Sequence, residues 1–398
     1  MFGMLVLLAV LVVALAWVGH ACVCTAVLNN LYGRKLPKTL LKPWRIVTGF
    51  VILGFPWVVV NIFNPPILVT PGDDVGVALD HFNGTLGRVL FAYTVLCLVL
   101  GAVVFPIITI VRYRRETPAC LASETTRTLD LWPELGAKLF GDGKYRWATR
   151  LPGNGAFTFD VSDLTLRLPN LPPEWDGLTL LHLSDLHFHG TPSRAYFDRV
   201  LDDLATGPVP DLVCLTGDYV DTDTHRDWIG PLLGRLSAKE AKLAILGNHD
   251  EYHDPDRVRA ELVAAGYTVL SNVWREIRVR GVPCVVIGHE GPWFVPTPDL
   301  SGAPVGPFRL CLSHTPDQFY WGLANHVGLM LSGHVHGGGI RVPVIGSIFV
   351  PSVYGRRFDQ GVFEKGSTAL VVSRGMSGKE PLRIRCNPQA IRITLKPR

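Results

Sequence analysis

The sequence lacks several signatures that mark common protein classes. Its eight cysteines form no C-x-x-C pair and no spacing typical of a disulfide framework. It contains no internal repeat of solenoid length and no low-complexity tract. The segment Gly141-Asp142-Gly143-Lys144 does not have the spacing of a phosphate-binding P-loop. These absences argue against a thiolate metal site, a disulfide-stapled scaffold, a repeat protein and a P-loop.

A basic block is also missing from the larger, C-terminal part of the chain. Residues 1–115 contain nine Lys and Arg against three Asp and Glu, a balance of +6. The remainder contains 29 basic and 31 acidic side chains, a balance of −2, which leaves the whole chain at +4. A near-neutral region without a basic patch argues against nucleic acid as its main partner.

Three long stretches near the N-terminus contain no charged residue, namely 3–28, 46–63 and 89–111. A helix of about 20 apolar residues crosses a hydrocarbon core of about 30 Å, so each stretch is predicted to span a membrane. Pro56 and Pro106 interrupt two of them, which membrane helices tolerate. Buried soluble helices are the alternative, but three such runs in succession are rare in soluble folds. A cleaved signal peptide is disfavoured because the first run has no basic n-region.

The loops around these stretches predict their orientation. Basic residues lie between the first and second stretches and directly after the third, whereas the loop between the second and third is mainly acidic. The positive-inside rule therefore places the N-terminus outside and the C-terminal part in the cytoplasm. The basic residues are Arg34, Lys35, Lys38, Lys42, Arg45, Arg112, Arg114 and Arg115, and the other loop holds Asp73, Asp74, Asp80 and Arg88.

Residues 116–155 have mixed composition and are predicted to be a linker. Their apolar residues fit a short interfacial helix at the membrane or, equally, a loop packed on the C-terminal domain. From residue 156 onward, short apolar runs alternate with helical patterns, which predicts an α/β domain over 156–398. Strands are predicted at 178–183, 212–215, 243–246, 282–287, 309–312 and 328–331, and helices at 193–204 and 255–265.

Five of the apolar runs end in side chains that bind metals. Ligands at the ends of several strands point into one crevice of an open α/β sheet. Oxygen and imidazole donors without a thiolate suit two adjacent divalent cations, the apparatus of phosphate-ester hydrolysis. The five segments are Leu183-Ser184-Asp185-Leu186-His187, Leu215-Thr216-Gly217-Asp218, Leu246-Gly247-Asn248-His249-Asp250, Leu312-Ser313-His314 and Leu331-Ser332-Gly333-His334-Val335-His336.

The order D-x-H, G-D, G-N-H-D, H and G-H-x-H resembles the calcineurin-like metallophosphoesterase superfamily. Gly337-Gly338-Gly339, Arg341-Val342-Pro343 and the run 350–355 are similar to its bacterial membrane-anchored branch. Two positions depart from that branch, which usually has Thr at Val335 and Gln at Gly339. The resemblance covers the chain from about residue 157 and implies two facing mixed β-sheets flanked by helices. It also implies a multi-pass protein of the bacterial inner-membrane type.

The residues themselves suggest how ligands are shared. Asp218 follows a glycine at a strand end and is predicted to bridge two ions, because a carboxylate offers two oxygens. Asp185 and His187 are predicted to alternate on an extended segment and so to face one ion. The resemblance adds His336 to that ion and assigns Asn248, His314 and His334 to the other. It implies Mn, Fe or Zn as the metal, with a bound water or hydroxide as nucleophile.

Two further residues are predicted to act in catalysis. His249 follows a ligand directly and is predicted to protonate or stabilise the leaving oxygen. Asp250 is predicted to orient His249 or a metal ligand. Asp221, Asp223 and Asp227 are interpreted as solvated loop residues. His189, His253 and His289 are candidates for the substrate pocket, His182 is predicted to point away from the site, and His20, His81, His225 and His326 are interpreted as structural.

Two functions remain open from the sequence. The first is a membrane-anchored hydrolase of a phosphomonoester, a phosphodiester or a pyrophosphate bond, which includes lipid precursors such as UDP-diacylglucosamine. The second is a membrane scaffold that keeps the fold without activity. The ligand set is intact, and this favours the hydrolase.

Overall fold

The chain folds as two compact units. The computed structural model describes residues 2–63 and 85–398. The first unit comprises Met1–Tyr32 and Leu36–Glu116, and the second comprises Gly33–Lys35 and Thr117–Arg398. The predicted loop residues Asp73, Asp74, Asp80 and His81 lie outside the described part of the chain.

The first unit contains three apolar helices, α1 (Phe2–Tyr32), α2 (Lys38–Phe63) and α3 (Thr85–Tyr113). Each is long and apolar enough to cross a membrane, so the three predicted apolar helices are confirmed. A π-helical turn at Leu100–Val104 interrupts α3 just before Pro106. Proline has no backbone N–H to donate, and the wider turn accommodates that missing hydrogen bond.

Two glycines allow α1 and α3 to approach each other closely. A Cβ atom on Gly19 would lie 1.8 Å from the carbonyl oxygen of Cys97. A Cβ atom on Gly101 would lie 1.9 Å from the carbonyl oxygen of Leu15. Small residues of this kind are typical of packed membrane helices, where van der Waals contact drives association.

The second unit is built from β-strands and shorter helices. Its helices are α4 (Trp132–Leu135), α5 (Arg194–Ala205), α6 (Ile229–Leu233), α7 (Pro255–Ala264) and α8 (Phe319–Ala324). Its strands are β1 (Leu121–Asp130), β2 (Thr158–Leu168), β3 (Leu178–Leu183), β4 (Leu212–Leu215), β5 (Ala241–Ala244), β6 (Thr268–Val269), β7 (Trp274–Val279), β8 (Val282–His289), β9 (Phe308–Ser313), β10 (Leu329–Ser332), β11 (Arg341–Val342), β12 (Gly346–Ser347), β13 (Gly361–Lys365), β14 (Thr368–Val372) and β15 (Gln389–Pro397).

These strands form two main sheets and a hairpin. The larger sheet has the order β1-β2-β15-β3-β4-β5-β6, with β3 to β6 parallel and β15 antiparallel to β3. The other sheet has the order β13-β14-β10-β9-β8-β7, with antiparallel strands at both edges and parallel strands between them. β11 and β12 pair as a separate antiparallel hairpin.

One apolar core lies between the two sheets. Leu180 and Leu212 of the larger sheet and Leu310 and Leu331 of the other belong to the same buried cluster. The outer face of the larger sheet is covered by residues of α5, α6 and α7, and that of the other by Phe319 of α8. Burial on both faces explains why the central strands are mostly apolar. The predicted fold of two facing mixed sheets with flanking helices is confirmed.

The segment 116–155 differs from the predicted linker. Its first part is β1, an edge strand antiparallel to β2, whose side chains are mostly exposed. Leu131 and Leu139 are buried in the core that also covers the larger sheet. The segment is therefore packed on the C-terminal domain, as in the second alternative, and does not form the interfacial helix. β1 was not predicted because its sequence contains no apolar run, and an exposed edge strand does not require one.

Candidate metal centre

The predicted site residues follow the carboxyl ends of strands in both sheets. Asp185 and His187 follow β3, Asp218 follows β4, and Asn248, His249 and Asp250 lie after β5. His314 follows β9, and His334 and His336 follow β10. Because β3, β4 and β5 run parallel, as do β9 and β10, each sheet brings its own set to one edge.

The backbone is strained at five of the seven predicted metal ligands. Asp185, His187, Asp218, His334 and His336 have φ between 48° and 69°. Such conformations cost about 1–3 kcal/mol each in non-glycine residues and cluster at functional sites. The predicted extended segment at Asp185 and His187 is therefore wrong, because left-handed turns, not strand alternation, aim these side chains.

One cluster of donor atoms is formed by Asp185, His187 and His336. Nε2 of His187 lies 3.2 Å from Nε2 of His336. These two nitrogens lie 3.8 Å and 3.6 Å from Oδ1 of Asp185. Donors bound at about 2.0–2.2 Å to a single ion are about 3–3.5 Å apart. The two nitrogens have this spacing, and Oδ1 of Asp185 lies slightly beyond it.

A second cluster contains Asn248, His314 and His334. Nε2 of His314 lies 3.0 Å from Oδ1 of Asn248. The ring of His334 is buried beside that of His314, with centroids 5.0 Å apart. Its Nε2 atom has no hydrogen-bond partner among the described residues. A buried nitrogen without a partner is costly unless it binds something, and its lone pair suits a cation.

Asp218 lies between the two clusters. Its Oδ2 atom is 3.6 Å from Nε2 of His187 and 3.4 Å from Nε2 of His314. Its Oδ1 atom accepts a hydrogen bond from the backbone N–H of His249 at 2.7 Å. One carboxylate oxygen thus faces a donor of each cluster, the arrangement that a bridging ligand requires.

Asp250 supports Asp218 rather than the ring of His249. Its carboxylate accepts hydrogen bonds from the backbone N–H groups of Gly247, Asp218 and Tyr219 at 2.8–2.9 Å. It therefore ties the loop after β4 to the loop after β5. Burial, together with the charge of Asp218, raises the pKa of Asp250 to about 7.

Asp221 belongs to the site, and its interpretation as a solvated loop residue is wrong. Its side chain is only 4% exposed. Oδ2 accepts from Nδ1 of His187 at 3.1 Å, and Oδ1 contacts Nδ1 of His249. The sequence signal was its place three residues after Asp218. In the fold, this loop pairs with the segment after β3 through a β-bridge between Val220 and Phe188. Asp223 and Asp227 are exposed, as interpreted.

Within the centre, carboxylates and imidazoles each shift the pKa of the other towards the charged form. Burial would raise the pKa of the Asp218 carboxyl, but the imidazoles of His314 and His249 hold it well below its usual range. Burial lowers the pKa of His314, yet the charge of Asp218 outweighs burial and raises that pKa to about 9. Buried carboxylates that draw positive charge in this way also attract divalent cations.

Arg383 contacts His336 and was missed by the sequence. The buried guanidinium donates to the carbonyl oxygen of His336 and to its Nδ1, both at 3.0 Å. An arginine only donates, so Nδ1 accepts and the neutral ring keeps its proton on Nε2. His336 can therefore bind an ion through Nε2 only after Arg383 moves off Nδ1. The other predicted ligands could bind an ion without any movement of Arg383.

Four other histidines have contacts of their own in the second unit. His182 bonds Thr216 inside the sheet, as its predicted orientation requires. His189 is buried against the carbonyl oxygen of Gly378, His289 packs on Trp321, and His253 contacts Asp223. The ring of Trp293, also missed by the sequence, lies 4.6 Å from that of His334. The side chain of Val335, where the sequence departs from the membrane-anchored branch, is buried in an apolar cluster.

The family model for calcineurin-like phosphoesterases matches residues 178–338, which hold all five motifs. The metallophosphoesterase YkuE of Bacillus subtilis, described as uncharacterized, is 32% identical over 60% of this chain and 85% of its own. The phosphodiesterase YaeI of Escherichia coli is 30% identical over 54% of this chain and 81% of its own. A transmembrane protein with metallophosphoesterase domain from Danio rerio is 28% identical over 46% of each chain.

A solved structure also aligns with the chain. It is a 5′-nucleotidase precursor from Thermus thermophilus, with 18% identity, a TM-score of 0.34, and coverage of 50% of this chain and 48% of that one. The family assignment rests on the sequence matches and on the motifs that the fold brings together. The chain belongs to the calcineurin-like phosphoesterase family, and it is a metal-dependent phosphoesterase.

Proposed function

We propose that the chain is a membrane-anchored phosphoesterase with a centre for two divalent cations. The position of Asp218 carries the proposal, because its Oδ2 faces His187 on one side and His314 on the other. Asp185, His187 and His336 would hold one ion, and Asn248, His314 and His334 the other. Mn, Fe or Zn suits these oxygen and nitrogen donors. When bound, such ions polarise a phosphoryl oxygen and lower the pKa of water towards about 7.

His249 is proposed to protonate the leaving oxygen. Asp221 holds the ring through Nδ1, and this leaves Nε2 to hold and donate a proton. The side chain of His249 is 15% exposed, whereas that of its neighbour His187 is 1% exposed. A substrate can therefore reach the His249 ring. Asp250 would act on the reaction by holding the backbone of Gly247, Asp218 and Tyr219 in place.

The three apolar helices support a membrane location for this chemistry. In the proposal residues 1–115 form the membrane region, the N-terminus lies outside, and the catalytic domain lies on the cytoplasmic side. The substrate is a phosphate ester or a pyrophosphate, and the name of the Escherichia coli relative favours a diester. A lipid-borne substrate such as UDP-diacylglucosamine suits the anchor. The complete donor set offers no support for an inactive scaffold.

The substitution Asp218→Asn tests the metal centre in the full chain. We expect wild-type protein to bind about two ions and to hydrolyse bis-p-nitrophenyl phosphate. Asp218→Asn should lose more than about 100-fold in rate and also lose metal, measured by elemental mass spectrometry. Asp223→Asn, in the same loop with an exposed carboxylate, is the matched control and should change neither. Full activity of metal-stripped Asp218→Asn protein would refute the centre.

A further inference from the structure

The β11–β12 hairpin exposes apolar side chains at its tip. Val344 is 67% exposed, and Ile340 and Ile348 at the hairpin base are exposed as well. Val344 has a φ of 66°, in the left-handed region where a β-branched residue is strained. Asparagine or glycine would suit this turn better. The backbone geometry therefore does not explain why an apolar side chain stands at the tip.

The hairpin is held firmly at its base. The side chain of Arg341 donates to Asp359 at 2.8 Å and to the carbonyl oxygen of Gly337 at 3.0 Å. The hydroxyl of Ser347, on the other strand, donates to the same Asp359 carboxylate at 2.6 Å. Both strands thus contact one buried carboxylate at the base of the hairpin, while Val344 at its tip is exposed.

A second exposed apolar segment lies beside the hairpin. The 3-10 turn Arg146–Arg150 exposes Trp147, which is 63% exposed, and is followed by the exposed Leu151. Ile384 joins the two segments, because it forms one β-bridge with Asn154 and another with Ile340. Residues 146–151 lie shortly before Asn154, and Ile340 begins the segment 340–348, so both segments lie near Ile384. We call the two segments together the apolar–basic face.

Basic residues accompany the apolar ones on this face. Arg146 and Arg150 are exposed, and their guanidinium groups lie 5.4 Å and 5.6 Å from the ring of Phe140. Lys144, just before the turn, is exposed too. Tryptophan and arginine beside aliphatic side chains are typical of surfaces at the headgroup layer, where basic groups meet anionic lipids.

The apolar–basic face is linked to the metal centre. Ile384 is preceded by Arg383, whose side chain donates to His336 and whose backbone bonds Asn154 and Gly155. The hairpin begins five residues after His336. A surface that binds this face would therefore lie beside the rim of the site.

We propose that the apolar–basic face docks on an anionic lipid bilayer and inserts Val344 and Trp147 at the lipid–water interface. The proposal rests on the membrane anchoring proposed above, since the apolar helices keep the face within reach of a bilayer. Docking would bring a phosphate in the headgroup layer to the site directly from the membrane. A second copy of the chain on this face is the competing occupant.

Depth-dependent quenching in the reconstituted full chain tests docking without using activity. Val344→Cys and Trp147→Cys are labelled with a small fluorophore in vesicles of phosphatidylethanolamine and phosphatidylglycerol that contain nitroxide lipids. Val305→Cys is the matched control, because Val305 is 93% exposed but precedes the amino end of β9, whereas His314 follows its carboxyl end. Labelled wild type corrects for the native cysteines.

We expect quenching at positions 344 and 147 to be several-fold stronger than at position 305. Equal quenching at the three positions would overturn the proposal. Crosslinking of Val344→Cys between two chains, without quenching by lipid, would overturn it in favour of a second copy.

An activity measurement separates docking from catalysis. Val344→Asn suits the turn better than valine, so it should fold, yet it should lose about tenfold in rate on a vesicle-embedded hexadecyl p-nitrophenyl phosphate. Its rate on soluble bis-p-nitrophenyl phosphate should stay unchanged, as should both rates of Val305→Asn. Equal losses of Val344→Asn on both substrates would overturn docking. Quenching without activity on either substrate would instead refute the proposed function and leave docking standing.

Discussion

At the scale of single residues, one aspartate, Asp221, contacts two histidines of the site. Asp221 contacts Nδ1 of His187 and Nδ1 of His249, so it orients a proposed ligand and a proposed acid together. The backbone of His249 is held separately by Asp218. Replacement of the His249 side chain therefore removes the ring without removing a donor of either proposed ion.

We predict that His249→Ala keeps its metal and loses rate. The loss should be about 10²–10⁴-fold for an ester with a poor leaving group, which needs protonation in the transition state. It should be much smaller for p-nitrophenolate, which leaves readily without a proton. Rates on an alkyl and a nitrophenyl ester, together with a metal count, measure this. If His249→Ala loses its metal outright, His249 is a ligand and the assigned role fails.

At the scale of elements, β3 contains a buried histidine, His182, three residues before Asp185. Nε2 of His182 lies 2.9 Å from Oγ1 of Thr216, and the ring is fully buried. Burial lowers the pKa of His182 to about 3. The folded state therefore holds this ring neutral, whereas an unfolded chain protonates it near its usual pKa of about 6.5.

We predict that His182 makes folding pH-dependent. Its pKa is lower in the folded state, so its contribution to stability is present above pH 6.5 and is lost as the pH falls towards 3. The loss between pH 6.5 and pH 5 is about 2 kcal/mol. Melting midpoints of the detergent-solubilised chain should fall less over this range in His182→Gln, whose amide can still donate to Thr216. Identical pH slopes would contradict the prediction.

At the scale of the whole molecule, the basic loops determine the proposed orientation. Eight Lys and Arg lie on one side of the apolar stretches, against three acids and one Arg on the other. Such an imbalance sets the direction of insertion during synthesis. In the proposed orientation, cytoplasmic substrates and lipids of the inner leaflet would have access to the metal centre.

We predict that the C-terminus is cytoplasmic and that the loop around residues 73–80 is outside. A reporter fused after Arg398 should be active only in its cytoplasmic form. A cysteine placed at Asp74 should react with an impermeant thiol reagent in intact cells, and the parent chain controls for native thiols. A shielded cysteine at Asp74 together with an external reporter would reverse both the topology and the proposed access to substrates.

The sequence by itself determined the features that depend on local pattern. Continuous apolar runs predicted β3 and β4 to the residue and the ends of the three long helices to within eight residues, because such runs mark segments that leave water. The order of the five motifs also predicted which side chains gather at the strand ends. The apolar runs are properties of short segments, whereas the gathering of the motifs was expected from the resemblance to a known family.

Tertiary structure decided what depends on contacts between distant segments. β1 is polar, so only its pairing with β2 makes it a strand. Arg383 lies 47 residues from His336 and reaches it only through the folded loops. The sequence shows Asp221 only as a carboxylate in a loop, and its contact with His187 depends on how that loop folds. The exposure of Val344 is likewise visible only in the folded hairpin, whose two strands both contact Asp359.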